Sequence, residues 1–337
     1  MRAKQLEKLL TFAFSNNFPV LIKGKPGIGK SDIVEQSTMK CIHTDGKPYD
    51  LLIVHPVVQD PTEPGGIPWV VNGEVHKLPF ENLRRMLTAT RPLVVFIDDL
   101  GQAAISVQAA YMQLLLLRQI DGQPISPFVI FVAATNRKED MAGVAGILEP
   151  VKSRFSCIVE LEYNTEDWCS WAYLNNMPGE LVSFNQWRPE LIEAAKLSKD
   201  IVNSPAPRTV AYVGKMYNAG LPAEIEYETI KGAVGEVYTI EFMAYKKIFA
   251  TLPTTTEIEM NPTGVRVPYN VSEQFALMGN ITTAITPRNI DSFATYLRRM
   301  PEEMMAAAMK NASVKTPEIM STGAFAQWGI KNAQYVL

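Results

Sequence analysis

Gly24-Lys25-Pro26-Gly27-Ile28-Gly29-Lys30-Ser31 follows directly on the apolar run Phe18 to Ile22, and no other stretch constrains the fold of this chain as tightly. An apolar strand that stops at a glycine-rich loop and re-enters a helix is a building unit of open α/β sheets. Gly24, Gly27 and Gly29 let the backbone curl so that successive N–H groups point at one centre, and the helix behind adds the positive end of its dipole. That arrangement cradles phosphates. Lys30 is placed to reach the β- and γ-phosphates and Ser31 to ligate Mg²⁺, so the loop predicts a nucleoside-triphosphate site.

The pattern around the loop agrees with an α/β core. Lys4 to Phe14 carries apolar residues at helical spacing, a first strand is expected over Pro19 to Lys23, and a helix should begin near Gly29. Leu51 to Val54, Leu93 to Ile97 and Phe128 to Ala133 are short continuous apolar runs of the kind that strands buried on both faces of a parallel sheet show, and Ile158 to Leu161 is a fourth. Helices are expected between them near Phe80 to Thr88 and Ala104 to Leu117. Trp69-Val70-Val71-Asn72-Gly73-Glu74-Val75-His76 reads as an inserted hairpin, about residues 66–78, because Asn-Gly satisfies the two positive φ angles of a type I′ turn. Trp69 belongs either at the base of that hairpin or facing a pore or partner.

From Asn164 onward the strand signal fades. The sequence predicts helices over Leu191 to Ile201, Val210 to Asn218 and Glu228 to Ile248, an extended Thr/Pro-rich connection over Leu252 to Val267, and a helix that starts at Pro301. The expected organisation is an α/β nucleotide-binding core over 1–163, a helical lid over 164–250 and a mostly helical extension over 251–337. Met304, Met305 and Met309 are expected in a core or a subunit contact rather than on a client surface.

The 337 residues are enough for about two domains. No apolar stretch approaches the ~20 residues of a membrane helix, and Met1 to Glu7 carries an acid and lacks the apolar centre of a signal peptide, so a cytoplasmic protein is expected. A formal net charge of -3 supplies no overall drive toward nucleic acid. Cys41, Cys157 and Cys169, like His43, His55 and His76, are spaced neither for structural zinc nor for a disulfide framework.

Two further strands deliver polar groups at their C-terminal ends, where ligands of open α/β sheets collect. Leu93 to Ile97 ends in Asp98 and Asp99, which suit a Mg²⁺ shell and the polarisation of an attacking water, respectively. Phe128 to Thr135 ends in Asn136, placed to orient that water. Arg137 next to it is a phosphate contact, an interface contact or a solvated side chain.

Taken in order, GKPGIGKS, VVFIDD, VAATN, Leu148 to Phe155 with its Ser153-Arg154-Phe155, and Ser204 to Thr209 with its Pro207-Arg208 resemble the MoxR-like branch of AAA+ ATPases. Asp60 to Gly66 is similar to the loop that leads into that branch's inserted hairpin. The likeness spans roughly Phe18 to Gly220. It implies an AAA+ core with a helical lid, ATP and Mg²⁺ as ligands, and a homo-oligomeric, hexameric ring that acts on a protein client, often one with a von Willebrand A domain. By the same resemblance Lys30 and Ser31 are the Walker A lysine and Mg²⁺ ligand, and Asp98 and Asp99 the Walker B pair. Asn136 is sensor 1, Arg154 a finger reaching a neighbour's γ-phosphate, and Arg208 the sensor 2 arginine. The family usually has Glu where this chain has Asp99, and a side chain one methylene shorter implies slower turnover.

Three readings stay open on the sequence: a ring ATPase that remodels or assembles a protein, a DNA-acting motor or loader, and an ATP-gated scaffold with negligible turnover. No helix-turn-helix, zinc module or dense Lys/Arg run supports the second. The absence of a guanine-reading Asn-Lys-x-Asp pattern, together with the resemblance, favours ATP over GTP.

Overall fold

The computed structural model describes residues 1–120, 122–140, 146–195 and 201–332. The chain divides into two compact units, Met1–Tyr163 and Asn164–Leu337.

The first unit contains helices α1 (Ala3–Ser15), α2 (Lys30–Lys40), α3 (Thr62–Gly65), α4 (Glu81–Thr88), α5 (Ile105–Leu117) and α6 (Glu149–Lys152). Its strands are β1 (Val20–Gly24), β2 (Asp50–Val54), β3 (Ile67–Val71), β4 (Glu74–Leu78), β5 (Leu93–Ile97), β6 (Gln119–Ile120), β7 (Gln123–Pro124), β8 (Val129–Asn136) and β9 (Cys157–Leu161). Five strands form one sheet in the order β2-β5-β8-β1-β9, every pair parallel. The continuous apolar runs follow from burial on both faces. Val94 and Phe96 pack with α1 and α2 through Leu6, Leu10 and Val34, whereas Val95 and Ile97 pack with α4 and α5 through Leu83, Met86 and Leu114. Alternate side chains of one strand thus enter two separate cores. β8 runs past the apolar run that ends at Ala133 and takes in Thr135 and Asn136 as its last residues.

β3 and β4 pair antiparallel around Asn72 and Gly73, whose φ angles of 52° and 86° are those of the expected turn. The hairpin stands out of the core. Trp69 is 60% exposed and Val75 71%, which excludes packing of Trp69 at the hairpin's base.

The second unit is helical: α7 (Thr165–Leu174), α8 (Gly179–Trp187), α9 (Glu190–Glu193), α10 (Pro207–Asn218), α11 (Glu226–Val234), α12 (Glu236–Phe249), α13 (Thr255–Met260), α14 (Val271–Ala284), α15 (Ile290–Leu297), α16 (Glu302–Lys315) and α17 (Gly323–Lys331). Three expectations need correction. Of the helix predicted over Leu191 to Ile201, the described part holds a single turn, α9, which ends at Glu193, and residues 196–200 lie outside the described residues. The helix predicted over Glu228 to Ile248 is two, broken at Gly235, whose φ of 78° no helix interior adopts. The connection predicted as extended contains α13, which a capping box starts: Glu257 N–H donates to Thr254 Oγ1 at 3.2 Å and Thr254 N–H to Glu257 Oε2 at 2.8 Å.

Phe184 on α8 centres this unit. It is fully buried, with the rings of Tyr238, Phe242 and Tyr245 at 5.1, 5.2 and 5.3 Å. Met304, Met305 and Met309 are buried on α16. α8 and α14 touch backbone to backbone at Gly179 and Gly279: a Cβ on Gly279 would lie 2.6 Å from Ser183 Cβ and 2.8 Å from Gly179 O. No helix among the described residues is long and apolar enough to cross a membrane.

Candidate functional site

β1 lies between β8 and β9, so the glycine-rich loop leaves the sheet next to the end of β8, with Gly24 directly opposite Asn136. Gly27 and Gly29 have φ angles of 72° and 100°, a left-handed backbone that a side chain would strain. Gly29 is also the N-cap of α2 and accepts from Ile33 N–H at 3.0 Å, so the loop passes straight into the helix.

Lys30 is the first residue of α2, and its side chain folds back under the loop. It is 6% exposed, and its ammonium donates to Gly24 O at 3.0 Å, Lys25 O at 3.1 Å and Asn136 Oδ1 at 2.7 Å. A buried ammonium requires such a set of acceptors. Ser31 Oγ donates to Asp98 Oδ2 at 2.9 Å.

Asp98 leaves the end of β5 with its own N–H donated to Val54 O. Asp99 then turns the chain in the left-handed region, φ 55° and ψ 34°, and donates its N–H to Asp98 Oδ1 at 3.0 Å. Asp and Asn tolerate that conformation better than longer side chains do, which accounts locally for Asp at this position. Asn136 Nδ2 donates to Asp99 Oδ1 at 3.2 Å. Ser31, Asp98, Asp99, Asn136 and Lys30 therefore form one linked chain of hydrogen bonds drawn from α2, β5 and β8.

This donor set fits the ligands that the loop predicts. A hydroxyl and a carboxylate 2.9 Å apart are hard oxygen donors, and Mg²⁺ is held by one or two such groups plus phosphate and water. Among the described residues no cluster of three or more His, Cys, Asp or Glu competes as a metal site.

Arg154, just past α6, is not hydrogen-bonded to this group. One of its terminal nitrogens donates to Ser153 Oγ at 3.2 Å, and its Nε is buried with no hydrogen-bond partner among the described residues. Arg208 is exposed in the first turn of α10, in the second unit. Arg137 is not a solvated side chain: it is held by carboxylates. Of the residues around it, Asp140 and Glu160 carry no mark in the sequence, and Lys23 is marked only by its place at the end of the first strand, directly before the loop.

Residues 20–163 match the family described as ATPase family associated with various cellular activities (AAA). Among curated proteins the sequence has no match. Among solved structures the chain is similar to the Thermotoga maritima RuvB Holliday junction branch migration motor, at 17% identity and a TM-score of 0.40, covering 74% of each chain. It is similar to a putative ATPase from Cytophaga hutchinsonii, at 16% identity and a TM-score of 0.37, covering 68% of this chain and 80% of that one. NtrX from Brucella abortus in complex with ADP shares 13% identity at a TM-score of 0.42, over 99% of this chain and 68% of that one. Likenesses this loose have no bearing on substrate or partner. The family match falls on the unit that carries the glycine-rich loop, both aspartates and Asn136.

Proposed function

We propose that this chain is a Mg²⁺-dependent ATPase of the MoxR-like type, which assembles into a homo-oligomeric, hexameric ring and remodels or assembles a protein partner. The observation that carries the catalytic part is the linked group Lys30, Asn136, Asp99, Asp98 and Ser31 at the mouth of the loop. The loop from Gly24 through Lys25, Pro26, Gly27, Ile28 and Gly29 presents its N–H groups to the phosphates of ATP. Lys30 exchanges a protein acceptor for phosphate oxygen. Ser31 and Asp98 hold Mg²⁺, which when bound neutralises charge on the β- and γ-phosphate oxygens. Asp99 takes the proton of the attacking water, and Asn136 orients that water.

Arg154 is assigned to the γ-phosphate of a neighbouring subunit, which makes turnover depend on assembly. A guanidinium whose Nε has no partner among the described residues suits that role. Arg208 is assigned to the nucleotide from the helical unit. The exposed apolar hairpin, with Trp69, Val70 and Val75, is the surface assigned to the protein client, a von Willebrand A domain being the kind of partner the resemblance implies.

The test is ATP hydrolysis by wild type, Lys30→Ala and Arg154→Ala across protein concentration, with mass measured in the same samples. Activity that rises with assembly and disappears in both variants supports the ring. A monomer whose hydrolysis is untouched by Arg154→Ala refutes it. Tight ATP binding without turnover selects the ATP-gated scaffold, a reading favoured by the hydrogen bond that engages Asp99 with Asn136.

A further inference from the structure

Arg137 stands where the chain leaves the sheet, directly after Asn136. Its Nε and Nη2 donate to the two carboxylate oxygens of Asp140 at 2.8 and 2.6 Å, a bidentate fork, and its Nη1 donates to Glu160 Oε1 at 3.2 Å. The other oxygen of Glu160 takes the ammonium of Lys23 at 2.7 Å. Lys23 is the residue before Gly24 and lies opposite both Thr135 and Glu160 in the sheet register. The network therefore spans the exit of β8, the end of β1 and the edge strand β9.

Its placement argues for more than cohesion. Ion pairs at partly exposed positions such as Lys23 add little to stability. What the fork fixes is direction: it closes the turn Lys138–Asp140 immediately after Asn136. Asn136 has to keep its carbonyl on Lys30 and its amide on Asp99 at once, so a small rotation of its backbone loses one bond or the other. The bond from Lys23, helped by Arg137, draws the Glu160 carboxyl below its ordinary range against the effect of burial. Asp140 in turn pushes the Arg137 guanidinium up.

We infer that Arg137 is a positioning residue for hydrolysis: through Asp140, Glu160 and Lys23 it holds Asn136 and the phosphate loop in fixed relation across β1, and so sets kcat rather than ATP affinity. The inference rests on the proposed roles of Lys30, Asp99 and Asn136.

The experiment measures kcat, KM, the Kd for ATP and Tm for the wild type, Arg137→Gln, Arg137→Lys, Glu160→Gln, the Arg137→Gln/Glu160→Gln double variant and Lys30→Ala. Arg137→Gln is expected to lower kcat by about 10- to 100-fold, as misplacement on the order of 1 Å does, with KM and Kd within about threefold of wild type. Lysine restores only part of the rate because an ammonium cannot form the fork. Glu160→Gln gives a smaller loss, and the double variant is no slower than Arg137→Gln alone, because both act in one network. If Arg137→Gln fails to fold, Glu160→Gln carries the same test. Wild-type kcat in a folded Arg137→Gln, additive losses in the double variant, or a loss confined to KM would overturn the inference. If wild type does not hydrolyse ATP, or Lys30→Ala matches it, the reading of the whole site fails and this inference with it. An inactive Lys30→Ala beside a fully active Arg137→Gln sinks only the role of Arg137.

Discussion

Replacing Asp99 by Asn takes one negative charge out of the nucleotide site while changing the backbone and the hydrogen-bond geometry very little. Position 99 has φ 55° and ψ 34°, a left-handed conformation that Asn accepts as well as Asp does. The bond from Asn136 Nδ2, 3.2 Å long, ends on Oδ1, an acceptor that the amide of Asn also offers. Stability should therefore stay within about 0.5 kcal/mol of wild type, which for a unit of this size is roughly 1–2 °C in Tm. The chemical step loses its base. A positioned general base contributes typically ~10²–10⁴-fold, so the barrier to hydrolysis rises by about 2.7–5.4 kcal/mol. ATP affinity stays close to wild type, because Lys30, Ser31 and Asp98 are intact. The assay is single-turnover hydrolysis with ATP saturating, alongside direct measurement of Kd and a thermal melt. A hydrolysis rate within about threefold of wild type in the Asn variant would show that Asp99 does not take the proton.

Asp99→Glu places a longer side chain on the same left-handed backbone, and Tm should drop by an amount equivalent to about 1 kcal/mol; an unchanged melt would mean that the strain at this position is negligible. Gly279→Ala forces a Cβ to within 2.6 Å of Ser183 Cβ and 2.8 Å of Gly179 O, and the overpacking should destabilise the helical unit by about 1–3 kcal/mol in denaturant unfolding. Burial pushes the Glu180 carboxyl above its ordinary value of 4.5, with Glu226 adding to the rise and Lys246 opposing it. A raised carboxyl costs the fold nothing below that ordinary value, and the cost grows as pH rises through the window up to the folded value. Glu180→Gln should accordingly melt higher than wild type at neutral pH by a margin that shrinks toward pH 4, and a margin independent of pH would show that ionisation of Glu180 is not what strains the fold.

The features legible in the order of the amino acids are those whose physics is local. A loop that needs positive φ at Gly27 and Gly29 declares itself by its glycines, a type I′ turn by Asn72 and Gly73, and a strand buried on both faces by an unbroken apolar run such as Leu93 to Ile97. Local pattern failed where a single residue or a cap outweighed it: Gly235 interrupts a helical periodicity, and the Thr254–Glu257 capping box starts a helix inside a Thr/Pro-rich stretch. What the tertiary structure alone decided is the order and register of the sheet. Placing β1 between β8 and β9 brings Asn136 within 2.7 Å of Lys30, although 106 residues separate them in the chain, and sets Glu160 beside Lys23. It also turned Arg137 from an unassigned basic residue into the centre of an ion-pair network, and let α8 and α14 meet at Gly179 and Gly279. No periodicity encodes such contacts, because strand order and helix contact are chosen by how many distant apolar faces can be buried at once, and the polar neighbours of the site follow from that choice.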